Sequence, residues 1–420
     1  MSALALVLLS TLYGLRNPGD GGRQLVILDP NTAAVTPLGT SIDPPNGTSS
    51  GVVALDTGGG RFFFVGMPSP ETTWRLYTVD TATGAEVSSP QIDPATSVLA
   101  LEYDDANDVL YGLRTPTDAG KQLVTYDPVT GIATAVSASI APPLGMPGGV
   151  SALDAAGQRF FFIGTPGAET GQRIYTVSTA TGAVLGNPTI DPATSVLGLE
   201  YDAAEGVLYA LRNPGDGGKQ LVRLDPATGA ATAVSASIAP PLGIPGGTNA
   251  LDASGNRFFF IGVPSAETDF HIYTVDTATG AVPASPAIAG SAAQFYVGLA
   301  YSTAAAPPPP GATNVLIDVR STINPRSKGV IPVAILTTST FDATTVDPLS
   351  VRFGQGNAAE AHGRGHISDV DGDGDLDLLL HFRTQDAAIP CGATSASLTG
   401  QTFSAQAIAG FDNITTAGCP

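Results

Sequence analysis

The stretch DVDGDGDLD, residues 369–377, places five aspartates in nine positions of a chain in which charged residues make up only 13%. Carboxylates crowded this way repel one another unless a cation neutralises them. The spacing Asp-x-Asp-x-Asp-Gly-x-x-Asp suits a loop around a hard cation, and Ca2+ takes about six to eight oxygens at about 2.3–2.6 Å. Asp369, Asp371 and Asp373 fit the first, third and fifth positions, and Gly374 permits the sharp turn. Asp375 would offer its carbonyl, and Asp377 would reach the ion from the ninth position, directly or through water. Leu380 stands where a helix-borne loop carries a bidentate glutamate. Strands are expected on both flanks, which points to a hairpin loop of the weaker affinity that suits millimolar calcium.

His362, His366 and His381 are the other metal-ligating side chains in this region. A four-residue spacing unites two rings on a helix face, but this segment reads as loop or strand. Packing or loop hydrogen bonding is therefore expected of them rather than zinc. Both cysteines of the chain, Cys391 and Cys419, fall in its last thirty residues. In an exported protein they would form one disulfide, contributing roughly 3 kcal/mol by loop entropy. In a cytosolic one they would be two buried thiols.

The elements that must hold these residues are strands. NVLIDVR, GVIPVAILTT, LSVRFG and LDLLLHFRT are apolar, β-rich runs separated by turns, and they predict a small β-sandwich over 312–420. AAAPPPPG, residues 304–311, is a stiff polyproline spacer that separates this module from the rest.

Residues 1–303 are repetitive. LYGLRNPGDGGRQLVILDP begins at Leu12, and its copies begin at Leu110 and Leu208, a step of 98. RFFF starts at Arg61, Arg159 and Arg257 with the same step. Each repeat splits into two halves carrying a Tyr- or Phe-containing strand, a Gly/Pro loop, a second strand, a DPATG or DTATG turn and a final strand. Such a half is a four-stranded propeller blade. Six blades follow, near 2–43, 50–92, 97–140, 148–190, 195–238 and 246–289, and YVGLAYS at 296–302 is a stray strand expected to complete the first blade. The predicted fold is thus all-β: a six-bladed β-propeller made of three tandem two-blade repeats, plus the sandwich. Asp29, Asp80, Asp127, Asp225 and Asp276 read as turn formers, as do Asp56, Asp154 and Asp252. The RFFF runs, apolar throughout, read as strands covered on both faces between blades.

The repeat resembles the broad class of bacterial extracellular β-propellers with kelch-length or quinoprotein-like blades, although neither a kelch double glycine nor a tryptophan docking motif is present. The tail, from SKGVIPVAILTTSTFD through HGRGHISDVDGDGDLDLLLHFRTQD to CGATSASLTGQTF, resembles a module that recurs at the C-terminal end of secreted bacterial proteins, and its aspartate loop looks like those of integrin-type repeats. The resemblance implies export and an accessory role.

On the propeller, long B-to-C and D-to-A loops share one face, where function usually lies. Arg16, Arg114 and Arg212 with Asp20, Asp118 and Asp216 repeat there, as do Glu71, Glu169 and Glu267. They read as a polar ligand surface or as copied loop braces. Two positions vary between copies: Trp74, Gln172 and Phe270 at one, Arg75, Arg173 and His271 at the next. Arg16, Arg114, Arg212, Trp74, Phe270 and His271 are therefore the ligand-binding candidates. No catalytic residue is assigned: His271 is the sole histidine before residue 362, and no Gly-x-Ser-x-Gly elbow precedes a helix.

A net charge of −19 and a pI near 4.3 exclude a nucleic-acid partner and disfavour an anionic membrane. No apolar run is long enough to span a bilayer. MSALALVLLS resembles the apolar part of an export signal without its basic start or cleavage site, so the true signal peptide is expected to lie upstream. The expected function is that of a secreted or cell-surface binding or scaffold protein, stabilised by Ca2+, with an extracellular glycan or surface protein as partner. The alternative is a polysaccharide hydrolase or lyase with its site at the tunnel mouth, which would require tunnel-facing residues to break the threefold repetition.

Overall fold

The computed structural model describes residues 11–42, 51–140, 144–167, 169–238, 242–244, 246–283, 285–302, 313–319, 322–338, 340–354, 356, 358–389, 393 and 395–418. The apolar run at residues 1–10, the spacer at 304–311, Cys391 and Cys419 lie outside them. Two compact units are present, one of Leu12–Ser302 and one that takes in Thr303–Pro420.

The first unit is a six-bladed β-propeller. Thr11–Asn17, Arg23–Leu28 and Val35–Ile42 make three strands of blade one, and Phe295–Ser302 pairs with Thr11–Asn17 as its innermost strand. The ring is thereby closed by joining its two ends, the last strand of the propeller completing the first blade. Blade two (Val53–Asp56, Arg61–Gly66, Arg75–Asp80, Glu86–Ser88) is antiparallel throughout, and blades three to five repeat its order. In blade six, Asn249–Asp252, Arg257–Pro264 and His271–Asp276 are the regular strands.

Each RFFF run forms the second strand of its blade, one step outward from the tunnel. All nine phenylalanines are at most 1% exposed. Alternation explains the unbroken apolar run: Phe62 and Phe64 pack with Tyr13 and Leu15 of blade one, and Phe63 packs with Leu101 and Leu110 of blade three. Burial of each ring contributes about 1.5–3 kcal/mol.

Polar latches reinforce these seams. Asp56, Asp154 and Asp252, all at most 3% exposed, accept the backbone N–H of Gly59, Gly157 and Gly255 and so form the turns expected of them. They also bind Arg61, Arg159 and Arg257 at 2.5–2.6 Å. Each arginine then donates to a tyrosine of the next inner strand, Tyr103, Tyr201 or Tyr301. The DPATG and DTATG turns form as read, with Asp127 and Asp225 accepting an N–H two residues on at 2.8 Å, and Gly131 and Gly229 at positive φ.

The second unit is a β-sandwich. Ile317–Val319, Val330–Ile335, Asp377–Arg383 and His366–Ser368 form one sheet, and Thr313–Asn314, Ala407–Asn413, Ser395–Gln401, Arg352–Phe353 and Ala358–Ala359 the other. Their facing side chains, among them Val333, Leu380, Phe382, Phe353 and Leu398, make a single core.

Candidate functional site

The propeller tunnel is narrowed by backbone. Gly51, Gly149 and Gly247, each spaced 98 apart and each with φ near +70°, precede the inner strands of blades two, four and six. They converge so tightly that a Cβ on Gly149 would lie 2.4 Å from the Gly51 Cα, and one on Gly51 would lie 2.5 Å from the Gly247 Cα. Their N–H groups donate to the carbonyls of Val297, Leu99 and Leu197 on the neighbouring inner strands. Because the inner strands start at the face of the long loops, this glycine junction lies at that end of the tunnel.

Beside the junction is a cavity of about 160 Å³ whose lining includes Glu102, Glu200, Ser151 and Asn249. Here the repetition fails. Glu102, Glu200 and Ala300 are equivalent, as are Ser151, Asn249 and Val53. Ser151 donates to Glu102 at 2.7 Å and the Asn249 amide to Glu200 at 2.8 Å, whereas the third pair is apolar. Burial pushes the Glu102 carboxyl up to about 7, opposed by the Ser151 hydrogen bond. Burial, then the charge of Glu102, raises Glu200 well above the usual carboxylate range. The accessible surface these side chains retain faces the cavity they line. A carboxyl pair held partly protonated near neutrality can take up or release protons. Sequence reasoning missed it, although the signal was there: a glutamate on an innermost strand, in the copies LEYD and LEYD but not LAYS, opposite a position reading Ser, Asn or Val.

The loop-face candidates are mostly braces. Arg114 and Arg212 each donate from Nε and Nη2 to the glutamine eight residues on, Gln122 and Gln220, at 2.7–3.0 Å. Arg16 does the same with Gln24 and adds Gln294 at 2.9 Å. Their partners are glutamines; Asp20 and Asp118 instead bond Ser41 and Ser139. The copied ion pairs are Arg75 with Glu71 and Arg173 with Glu169, both at 2.8 Å. Phe270 is no ligand platform: it is 8% exposed and meets Tyr296 edge-on within the seam between blades six and one. Trp74 is half-buried against the core between blades two and three. Packing thus takes Phe270 into the core, while Trp74 keeps part of its ring exposed, a difference that spacing cannot show.

His271 keeps the brace of the arginines it replaces, contacting Glu267 at 2.8 Å and the Ser285 carbonyl at 2.6 Å. Being shorter, it borders a groove of about 440 Å³ between blades five and six, lined also by Ile238, Pro264, Tyr273 and Val282.

In the sandwich, Asp369, Asp371 and Asp373 bring carboxylate oxygens within 4.8 Å of one another on the exposed hairpin before Asp377–Arg383. Asp369 accepts the N–H of Gly372 and Gly374, whose positive φ values let the loop turn. Asp375 Oδ1 is buried without a hydrogen-bond partner among the described residues. Its carboxyl titrates high through desolvation, with the charges of Asp373, Asp377 and Asp371 adding. Asp377 departs from the expected role. It is fully buried, and its oxygens accept the N–H groups of Thr337 and Val370, so it anchors the loop to the sheet. The remaining donors are all oxygen, which fits a hard cation.

No family model matches the chain, and no curated protein matches it. Among solved structures, TolB from Acinetobacter baumannii is similar over 69% of this chain and 66% of its own length, a little under two thirds, at 12% identity and a TM-score of 0.47. The periplasmic gluconolactonase of Pseudomonas aeruginosa is similar over 70% of this chain and 99% of its own, at 12% identity and 0.45. A putative 6-phosphogluconolactonase from Bacteroides uniformis gives 69%, 99%, 11% and 0.44. At these values the blade topology, not the likeness, carries the fold. No helix of the described residues is long and apolar enough to cross a membrane.

Proposed function

We propose that the chain is an exported binding or surface-scaffold protein, with a Ca2+-stabilised sandwich as accessory module. The groove at His271 carries this reading. It has a volume within the range of small-ligand sites, about 300–1,000 Å³, and it mixes apolar walls with the Glu267–His271 pair. Such a lining suits a sugar unit of an extracellular glycan better than a flat protein surface. The intact protein would be passed over an array of extracellular glycans in Ca2+ and again in chelator, beside a His271→Arg variant that restores the arginine of the other copies. Selective retention lost in the variant supports the groove as the site. Retention unchanged in the variant moves the site elsewhere, and no retention at all removes the glycan reading.

A second reading has an observation of its own. Glu102 and Glu200 break the threefold repetition in the tunnel and titrate high, as a general acid or base would. Against it stand the cavity's small volume and the glycine junction at the loop face. Enzyme-like turnover of a polysaccharide or lactone that disappears in Glu200→Gln would replace the binding reading with this one.

A further inference from the structure

Three of the chain's four histidines gather on one side of the sandwich. Strand His366–Ser368 pairs with Asp377–Arg383, which carries His381. His362 lies in the turn just upstream, laid along the same strand by the Ala361 N–H, which donates to the His381 carbonyl at 2.8 Å. Leu378, Leu380 and Phe382 fill the core, so the alternation of the strand turns His381 to its other face. The ring centroids stand 5.2 Å (His362–His381), 5.7 Å (His366–His381) and 6.3 Å (His362–His366) apart. One nitrogen of each ring lies within 4.8 Å of those of the other two.

Two further observations point to a ligand. His381 Nδ1 is shielded from solvent yet has no hydrogen-bond partner among the described residues, a state that buried polar atoms rarely hold. Glu360, whose side chain is 1% exposed, accepts the N–H of His362, Arg364 and His381 and lies 3.5 Å from His362 Nδ1. It pins the turn to the strand and lies on the Nδ1 side of the His362 ring. Carboxylates orient metal-binding histidines in this way.

We propose that His362, His366 and His381 bind a transition-metal cation of the Zn2+ class, at a site separate from the aspartate loop and with its fourth position open to water or an outside ligand. Imidazole nitrogens suit Zn2+, whereas Ca2+ prefers oxygen. Tetrahedral Zn–N bonds of about 2.0–2.1 Å set the nitrogens roughly 3.3 Å apart. His362 and His366 are exposed, so rotation of their side chains closes the remaining distance.

The test uses the full chain stripped of metal. Zn2+ is titrated by calorimetry and Co2+ by visible absorption, each in excess Ca2+. One equivalent of Zn2+ and the intense visible band of four-coordinate Co2+ are expected. His381→Ala and His366→Ala should each weaken binding at least ~10-fold; His366 is exposed, so its variant isolates the metal effect from folding. Absence of heat and of the Co2+ band overturns the proposal. So does binding that His366→Ala leaves unchanged, or that Ca2+ displaces.

Discussion

At the scale of single residues, the tunnel glutamates govern how the propeller responds to pH. Glu102 titrates near 7 in the folded chain because burial disfavours its charge, against roughly 4.3 for an exposed glutamate. A raised folded pKa gives stability that is complete below the unfolded value and lost as pH rises through the folded one. Glu200 shifts in the same direction. The propeller should therefore melt a few degrees higher at pH 5 than at pH 8, and Glu102→Gln with Glu200→Gln should flatten that slope. An unchanged slope in the double variant would locate the titration elsewhere. The latch arginines make a second case. Arg257 pairs with Asp252, which is 0% exposed, and reaches Tyr301 on the closing strand. Arg257→Ala leaves that carboxylate uncompensated and should cost about 3–5 kcal/mol by denaturant melts. A loss under 1 kcal/mol would mean the seam does not depend on the latch.

At the scale of elements, the glycine junction is where three blades meet through backbone alone. Alanine at 149 must both hold a left-handed φ of 69° and force a Cβ against Gly51. A loss above ~2 kcal/mol is expected in Gly149→Ala. Gly215 also has positive φ, at 98°, but nothing within 4 Å of its would-be Cβ. Gly215→Ala should cost only the conformational term, about 1–2 kcal/mol. Equal losses at the two positions would show that close approach at the axis contributes nothing.

At the scale of the whole molecule, the two compact units have separate cores. Calorimetry should resolve two transitions, of which one rises with Ca2+. Asp369→Ala with Asp371→Ala should abolish that rise and leave the other transition in place. A Ca2+ response surviving in the double variant would mean that the ion binds away from the aspartate loop.

The sequence by itself determined the all-β class, the six blades, the strand that closes the ring and the turn aspartates. These depend on local period and on repetition, which a chain displays along its length. It also displayed the aspartate loop, because alternate residues of one tight turn are neighbours in space as well as in order. Only the tertiary structure decided that Phe270 packs into the seam between blades six and one, that Asp377 is an anchor, and that Glu102 and Glu200 share one cavity. It also decided that His362, His366 and His381 meet, through strand pairing rather than a helix face. Each of these turns on which residues of different strands lie side by side, and the pairing register and the stacking of blades fix that, not the spacing along the chain.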